Sequence, residues 1–251
     1  MQGSSAKFLV GAVAIAVIAG CSKKAEDTAT DAAAPPAEAP AAGPAIATVR
    51  ARGNEPSWSV DLSEAAIVLT TPDGETRTGA PALDTTFDDG AVLYVATGEK
   101  GEIAVKVLDR VCTDSMTGMP HPQSVLVWTG GQELAGCGGD PASLLQGPEW
   151  TVDELDGKAP VKDSKITLNF GADGSLSGSS SCNRLATTYT LTGESLSIAQ
   201  GAGTMMACDA PVMEQEGAFL ALLSKVSQFS VADDGALLLK TADGKAIRAR
   251  R

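Results

Sequence analysis

Basic residues are scarce in this sequence. Its 251 residues include 19 Lys and Arg against 31 Asp and Glu, for a formal net charge of −12 at pH 7. Residues 49–146 carry 14 acidic and 6 basic side chains, and residues 147–251 carry 13 and 10. Because so few cations cannot form a basic stripe, we expect no binding to nucleic acid, and an anionic polymer would be repelled. The excess of acidic side chains is first of all a solubility feature.

The sequence has a single histidine and lacks the common nucleophile motifs. The one histidine, His121, lies between Pro120 and Pro122. It could serve as a base for the Cys112 thiol only if that cysteine were free. The segment GSLSG at 174–178 places Leu176 where a G-x-S-x-G motif needs its serine. We therefore expect no catalytic residues and no enzymatic activity.

The spacings typical of metal sites are absent as well. No two cysteines form a C-x-x-C pair, so a four-cysteine zinc site is excluded. Asp84, Asp88 and Asp89 lie close together in DTTFDDG, but this segment lacks the ligand spacing and the terminal glutamate of an EF-hand. Turn formation explains these aspartates better. The sequence predicts neither a metal nor a cofactor.

The N-terminus, MQGSSAKFLVGAVAIAVIAGC, has the composition of a secretory signal. One cation precedes an uncharged run at 8–19, which is too short to span a bilayer comfortably. Ile18-Ala19-Gly20-Cys21 resembles the lipobox of bacterial lipoproteins, in which the signal is cleaved before a cysteine that then carries lipid. An ordinary signal with an unrelated cysteine would not explain the two small residues before it.

The lipobox resemblance implies that residues 1–20 are a signal peptide and that Cys21 is the lipid attachment site. Acyl chains such as palmitate on Cys21 would hold the protein on a membrane essentially permanently. Ser22, rather than Asp, follows the cysteine, which by analogy with enterobacterial sorting favours the outer membrane, with the protein facing the periplasm. Residues 21–48 are rich in Ala and Pro, with Ile46 as the only larger aliphatic residue, and predict a disordered tether.

Four cysteines remain once Cys21 is assigned to lipid: Cys112, Cys137, Cys182 and Cys208. In an oxidising compartment an even number of cysteines indicates disulfides. Pairing Cys112 with Cys137 and Cys182 with Cys208 keeps each bridge inside one proposed domain. Each such loop of about 26 residues is worth roughly 3 to 4 kcal/mol in the chain-entropy model.

The remaining residues predict two β-rich domains, at 49–146 and 147–251. In the first, alternating apolar segments bounded by turn residues predict strands at 58–62, 66–70, 91–97, 102–108 and 124–128. This pattern favours an all-β barrel or sandwich. In the second, strands are predicted at 165–170, 175–179, 186–191, 195–199, 229–232, 236–240 and 246–250.

One amphipathic helix interrupts the strands of the second domain, within CDAPVMEQEGAFLALLSKVSQ at 208–228. Asp209 can cap it and Pro211 suits its first turn. We predict that Met213, Leu220, Leu223 and Val226 form its buried face. The fold class is therefore mainly β, or α+β, with two small antiparallel barrel-like domains and one packed helix in the second.

Several segments of the second domain together resemble the META domain, the family of the heat-inducible lipoprotein HslJ. They are Trp150, KITLNFGADGSLSGSSSCNRLATTYTL at 165–191, TMMAC at 204–208, the helix with Phe219 and Leu220, and ALLLKTADGK at 236–245. The resemblance implies a cracked β-barrel plugged by a helix. In the first domain, RGNEPSWSVDL at 52–62 and CTDSMTGMPHP at 112–122 are similar to an uncharacterised bacterial envelope family with no settled activity.

Three residues are candidates for a binding site. Arg184 follows Cys182 and Asn183, and we expect it to pair with Glu214 or Glu216 of the helix, with ligand binding as the alternative. Met205 and Met206, together with Met213, are expected in the core, but they could instead form an adaptable apolar surface for a peptide or a lipid.

These observations support a non-enzymatic envelope lipoprotein that contributes to stress tolerance by binding an envelope protein. One alternative is an inhibitor of a periplasmic or host hydrolase such as lysozyme, towards which the acidic first domain would steer. Another is a pilotin-like carrier that shelters a peptide or an acyl chain inside the second barrel.

Overall fold

The computed structural model describes residue 46 and residues 48–251. The predicted signal peptide, the lipid site at Cys21 and the tether up to residue 45 lie outside the described residues. Within the described part of the chain, none of the helices has the length and apolar character needed to cross a membrane.

The first part of the chain folds into a closed eight-stranded antiparallel barrel. Its strands are β1 (Val49–Asn54), β2 (Ser57–Leu62), β3 (Ile67–Thr70), β4 (Thr76–Thr86), β5 (Val92–Gly98) and β6 (Gly101–Leu108), and, after a small hairpin of β7 (Cys112–Thr113) and β8 (Pro120–His121), β9 (Gln123–Thr129) and β10 (Gln132–Gly138). Around the barrel they follow the order β1-β10-β9-β6-β5-β4-β3-β2. The prediction of a small all-β barrel is confirmed.

In most strands of this barrel, alternation of apolar and polar residues places one face of the strand in the core. In β2, Trp58, Val60 and Leu62 are buried while Ser57, Ser59 and Asp61 face solvent. Ile46, predicted to belong to the tether, packs against the barrel core. The folded part of the chain therefore includes Ile46.

The second part of the chain forms a nearly closed barrel. After the short helix α1 (Ala142–Leu145) come β11 (Trp150–Leu155), β12 (Lys165–Phe170), β13 (Ser175–Ser181), β14 (Arg184–Leu191), β15 (Leu196–Ile198), β16 (Ala202–Gly203), helix α2 (Ala210–Leu223), β17 (Val226–Val231), β18 (Leu237–Thr241) and β19 (Ala246–Arg250). The sheet order is β15-β14-β13-β12-β11-β19-β18-β17, with β16 paired to β14. Its end strands, β15 and β17, lie side by side without a shared ladder. This is the cracked barrel that the resemblance implied.

Helix α2 packs against β13 and β19 and contributes Phe219 and Leu223 to the barrel core. Its buried residues are Gln215, Glu216, Phe219 and Leu223. The predicted face was partly wrong, because Met213 and Leu220 are exposed and Val226 belongs to β17. The buried face is rotated towards Gln215 and Glu216, and this rotation brings two polar side chains inside.

The two barrels make direct contact within one compact unit. Met119, which precedes β8 in the first part of the chain, is fully buried in the core cluster of the second barrel. Leu145 of α1 joins the same cluster, although it lies within the predicted first domain. The Arg251 guanidinium stacks over the Trp150 ring at 4.1 Å and donates to the Leu145 carbonyl at 3.0 Å.

Candidate functional site

The two disulfides have the local pairing that the sequence favoured. Cys112 bonds to Cys137 with a Cα–Cα distance of 5.4 Å, and Cys182 bonds to Cys208 with a Cα–Cα distance of 6.0 Å. Cys182 lies in the turn after β13, and Cys208 directly precedes Asp209, the N-cap residue of α2, so the second disulfide joins this turn to the start of the helix. Since each of these sulfurs is bonded to another sulfur, none supplies a thiolate nucleophile or a metal ligand.

Glu216 holds the same turn from the helix side. Its carboxylate is buried and accepts hydrogen bonds from the backbone N–H groups of Cys182 and Asn183, at 3.3 and 3.2 Å. The Asn183 side-chain amide donates to both carboxylate oxygens, at 3.1 and 3.3 Å. A buried carboxylate is costly unless it is hydrogen-bonded, and these donors meet that need.

The other side of Asn183 holds the TMMAC segment. Its side-chain oxygen accepts from the Thr204 hydroxyl at 2.8 Å and from the Met206 backbone N–H at 2.7 Å, and its amide also donates to the Met206 carbonyl at 3.3 Å. A single amide therefore links helix α2 to an irregular loop. We call the group Asn183, Thr204, Glu216 and the Cys182–Cys208 disulfide the latch.

Gln215 makes a second link beside the latch. Its side-chain oxygen accepts from the Val161 backbone N–H, and its amide donates to the hydroxyls of Ser164 at 2.8 Å and Ser181 at 2.6 Å. The two polar residues on the buried face of α2 thus fix the helix to two separate segments, the loop at 161–164 and the turn at 181–183. The sequence contained a signal for this, because Val212, Gln215, Glu216, Phe219 and Leu223 follow a helical period that includes the two polar positions.

The predicted role of Arg184 was wrong. Its side chain is exposed, and among the described residues no ion pair joins it to Glu214 or Glu216. Its backbone N–H donates to the Thr204 hydroxyl at 3.1 Å. The preceding residue, Asn183, contacts Glu216 instead, because a short amide reaches a buried carboxylate without bringing a second charge inside.

The expectation that the methionines are core residues was also wrong. Met205 is 98 % exposed and Met206 is 56 % exposed, and Met213 and Leu220 on α2 are exposed as well. The latch holds Met206 by its backbone, so the side chains of both loop methionines are left in solvent. We call Met205, Met206, Met213 and Leu220 the methionine surface.

In the first half of the chain, the segment CTDSMTGMPHP forms the hairpin of β7 and β8, which the Cys112–Cys137 disulfide joins to β10. Burial raises the pKa of Asp114, but hydrogen bonds from Asn54, Thr117 and Met116 outweigh it and bring the pKa down to about 2. His121 Nδ1 lies 3.0 Å from the Gly139 carbonyl oxygen, and Cys112 is in a disulfide. The hairpin carries Met119 into the second barrel.

Two further features of the first barrel are exposed to solvent. Asp84, Asp88 and Asp89 lie in the β4–β5 hairpin, and the described residues contain no cluster of three His, Cys, Asp or Glu side chains that could hold a metal. A polar groove of about 310 Å³ at one barrel end was not predicted; it is lined by Arg77, Lys100, Gly101, Glu102, Trp128, Thr129, Gly130 and Gly131. Hydrogen bonds from Lys100 and Arg77 lower the pKa of Glu75, so both cations are already engaged.

Comparison with known protein families gives a match that falls on the second barrel. Residues 143–251 match the family model of the META domain. The chain is 28 % identical to a protein from Burkholderia xenovorans solved by NMR, over 44 % of this chain and 85 % of that one, with a TM-score of 0.38. It is 23 % identical to a second protein solved by NMR, over 43 % of this chain and 92 % of that one, with a TM-score of 0.36. No curated protein matches the chain.

The matched residues include the whole latch and residues 143–145 of α1, and Leu145 packs in the second core. The similarity of residues 49–146 to an envelope family stays a prediction. The second barrel of this chain, residues 143–251, is a META domain.

Proposed function

We propose that the protein is a non-enzymatic lipoprotein of the bacterial envelope whose META domain binds another envelope protein through the methionine surface. The observation that carries this proposal is the exposure of Met205 and Met206 on a loop whose backbone the latch holds in place. Exposed, flexible thioether side chains on a fixed backbone are suited to packing against partners of varied shape.

The charges around the methionine surface favour a particular kind of partner. Asp209 and Glu214 are exposed at the start of α2, and the helix carries no Lys or Arg. Arg184 is the exposed cation that flanks the Thr204 end of the loop. A partner segment with apolar side chains flanked by basic residues complements this arrangement.

The chemistry of the described residues supports a binding role over catalysis. The Cys112 sulfur is in a disulfide, so His121 has no thiol to activate, and its Nδ1 faces a backbone carbonyl. Buried side chains such as Phe219, Leu176 and Leu239 fill the interior of the second barrel. A carrier that shelters an acyl chain there gains no support from this packing, whereas a surface site needs no space inside.

Location is part of the proposal. Lipid on Cys21 would anchor the protein, and the tether would let the two barrels reach partners from an outer membrane surface that faces the periplasm. A role in stress tolerance would follow from the partner that is bound.

The experiment compares capture of envelope proteins by the wild type and by Met205→Ser/Met206→Ser. We expect a specific protein to be captured by the wild type and lost with the double variant, since serine removes the apolar contact without touching the backbone bonds of Met206. Val111→Ser, a change from apolar to serine at an exposed position of the first half of the chain outside both candidate surfaces, is the matched control. A protein captured equally by all three would contradict the proposed surface.

A second candidate function is inhibition of a basic hydrolase such as lysozyme. It rests on the β4–β5 hairpin, where the exposed Asp84, Asp88 and Asp89 lie beside the exposed Leu83 and Phe87. Acidic side chains around an apolar tip would steer towards and contact a basic cleft. An assay of lysozyme activity with the wild type and with Phe87→Ser distinguishes this candidate from binding at the methionine surface, which that substitution leaves intact.

A further inference from the structure

Exposure of apolar side chains in this protein is selective for methionine. Eight large hydrophobic side chains are exposed in the described residues, and four of them are methionines: Met116, Met205, Met206 and Met213. The whole chain has only six methionines, and most of its many Leu, Ile and Val residues in the two barrels are buried. Methionine is ordinarily among the residues found inside proteins, so this selectivity points to the chemistry of the thioether and not only to apolar area.

The methionines also span a wide range of exposure within one molecule. Met205 is 98 % exposed, Met116 is 75 % exposed and Met206 is 56 % exposed, whereas Met119 is 2 % exposed in the core of the second barrel. Met116 and Met119 lie three residues apart on the same hairpin. The protein therefore contains exposed methionines that an oxidant in solution can reach and a buried methionine, Met119, against which their reactivity can be compared.

Cysteine does not compete for oxidants in the described part of the chain. Cys112, Cys137, Cys182 and Cys208 are all in disulfides, so none offers a thiolate. Thioethers are oxidised to sulfoxides, a step that sulfoxide reductases reverse.

We propose that Met205, Met206 and Met116 are sites of reversible oxidation by hypohalous acids and together form an oxidant-consuming surface. With hypochlorous acid, a sulfur–oxygen bond forms and the oxygen–chlorine bond breaks. The thioether sulfur loses two electrons, chlorine gains them, and chloride and a proton leave. This inference does not depend on the proposed binding function, because its test needs no partner.

The structure explains why the fold tolerates this chemistry. The hydrogen bonds between Met206 and Asn183 of the latch involve only the Met206 backbone N–H and carbonyl, and the Met205 side chain is almost fully solvated. A sulfoxide on either side chain stays in water. On Met119 the same change would place a polar group in a packed core without a partner, which is costly.

A metal site made from the same sulfurs is less well supported. Soft thioether ligands select ions such as Cu(I), but a site requires sulfurs that converge on one point. Met116 lies on the hairpin of the first barrel, whereas Met205 lies on a loop of the second barrel and its side chain is almost fully exposed. Oxygen transfer requires only that each sulfur is accessible.

The test is a titration of the mature, folded protein with hypochlorous acid below one equivalent per methionine, followed by peptide mass spectrometry and melting curves. We expect sulfoxide first at Met205 and Met116, then at Met206, with Met119 last, and no change in melting temperature until Met119 reacts. Methionine sulfoxide reductase should return Met205, Met206 and Met116 to the thioether. Oxidation of Met119 at the rate of Met205, a melting temperature that falls with the first oxygen, or sulfoxides that the reductase cannot reach would each overturn the proposal.

Two variants test whether the exposed methionines protect Met119 by consuming oxidant or are merely reactive themselves. In Met205→Leu/Met206→Leu, oxygen uptake should fall by the two substituted sites, and Met119 should begin to react at a lower dose of oxidant. The exposed Leu83→Met variant, which adds a thioether on the first barrel, should raise the dose that Met119 withstands. If neither variant shifts the dose at which Met119 reacts, the exposed methionines do not act as an oxidant-consuming surface.

Discussion

Asn183 shows how much of the second barrel depends on single polar side chains. Its amide donates to Glu216 and to the Met206 carbonyl, and its oxygen accepts from Thr204 and from the Met206 backbone. A hydroxyl could not supply two donors and an oxygen acceptor at these positions. The SCNR segment therefore provides one end of a disulfide and the centre of a hydrogen-bond network.

Glu216→Gln should destabilise the second barrel. The substitution replaces a charged acceptor with an amide, so one of its two atoms can no longer accept from Cys182, Asn183 or the Asn183 side chain. Loss of hydrogen bonds to a charged, buried group should lower the free energy of unfolding by about 1.5 to 3 kcal/mol. Glu214→Gln, the same chemical change at an exposed position two residues earlier, is the control. Equal effects of the two substitutions in urea denaturation would contradict the role of Glu216.

Asp114 predicts a specific dependence of stability on pH. Its pKa is depressed from 3.8 to about 2 in the folded protein, so it stabilises the fold fully above the unfolded value. This contribution, about 2 kcal/mol, should be lost as the pH falls from about 4 through about 2. Asp114→Asn should lower stability at neutral pH and flatten that part of the profile, whereas Asp88→Asn, an exposed position, should do neither. Unfolding free energies measured by urea denaturation from neutral to acid pH would decide the matter.

The contact between Asn183 and Glu216, where an Arg184 ion pair was predicted, shows a limit of prediction from sequence patterns for single residues. A cation beside two helix carboxylates suggested an ion pair, but burial selects the neutral partner, since a buried pair of charges must recover a large desolvation cost. Which carboxylate is buried depends on the rotation of α2. That rotation is fixed by packing of Phe219 and Leu223, which the helical period alone did not settle.

Among the strands of the first barrel, those with large apolar residues were predictable and those with mostly small or charged residues were not. The predicted strands at 58–62 and 102–108 correspond to β2 and β6. The sequences of β1 (VRARGN), β4 (TRTGAPALDTT) and β10 (QELAGCG) contain few large apolar residues. Their partners explain this: a Cβ at Gly136 of β10 would lie 2.1 Å from the Arg52 carbonyl oxygen and 2.8 Å from the Trp58 ring, so glycine is needed where the two strands and the tryptophan meet.

Removal of the Cys182–Cys208 disulfide, which fixes the start of helix α2, should measurably lower the stability of the protein. The bridge spans 26 positions of sequence. Replacing both cysteines with Ser should lower the free energy of unfolding by roughly 3 to 4 kcal/mol or somewhat less, mainly through the unfolded chain. Native protein should not react with maleimide before reduction. A thiol that reacts in the native state, or an unchanged melting temperature in the double variant, would contradict the structural role of this disulfide.

For the whole molecule, the contact through Met119 changes what is expected of the separate halves. The sequence predicted two domains, at 49–146 and 147–251, each with its own disulfide and its own barrel, and two such domains could each fold alone. Met119 of the first half is nevertheless buried in the core of the second, and β8 lies beside β17 next to the crack between β15 and β17. The isolated second half would expose the apolar side chains that Met119 covers.

Met119→Ala in the protein containing both barrels should therefore destabilise the META domain from outside its own sequence. Truncation of a buried methionine costs about 2 to 5 kcal/mol, because the lost contacts add to the cavity that is left. Met116→Ala, on the same hairpin but exposed, should stay within about 0.5 kcal/mol of the wild type. Hydrogen exchange resolved by peptide tells which barrel is affected: Met119→Ala should speed exchange in β17 and α2, although the substituted residue lies in the first half of the chain. If exchange rises only in the first barrel, Met119 stabilises its own hairpin and the two barrels are energetically independent.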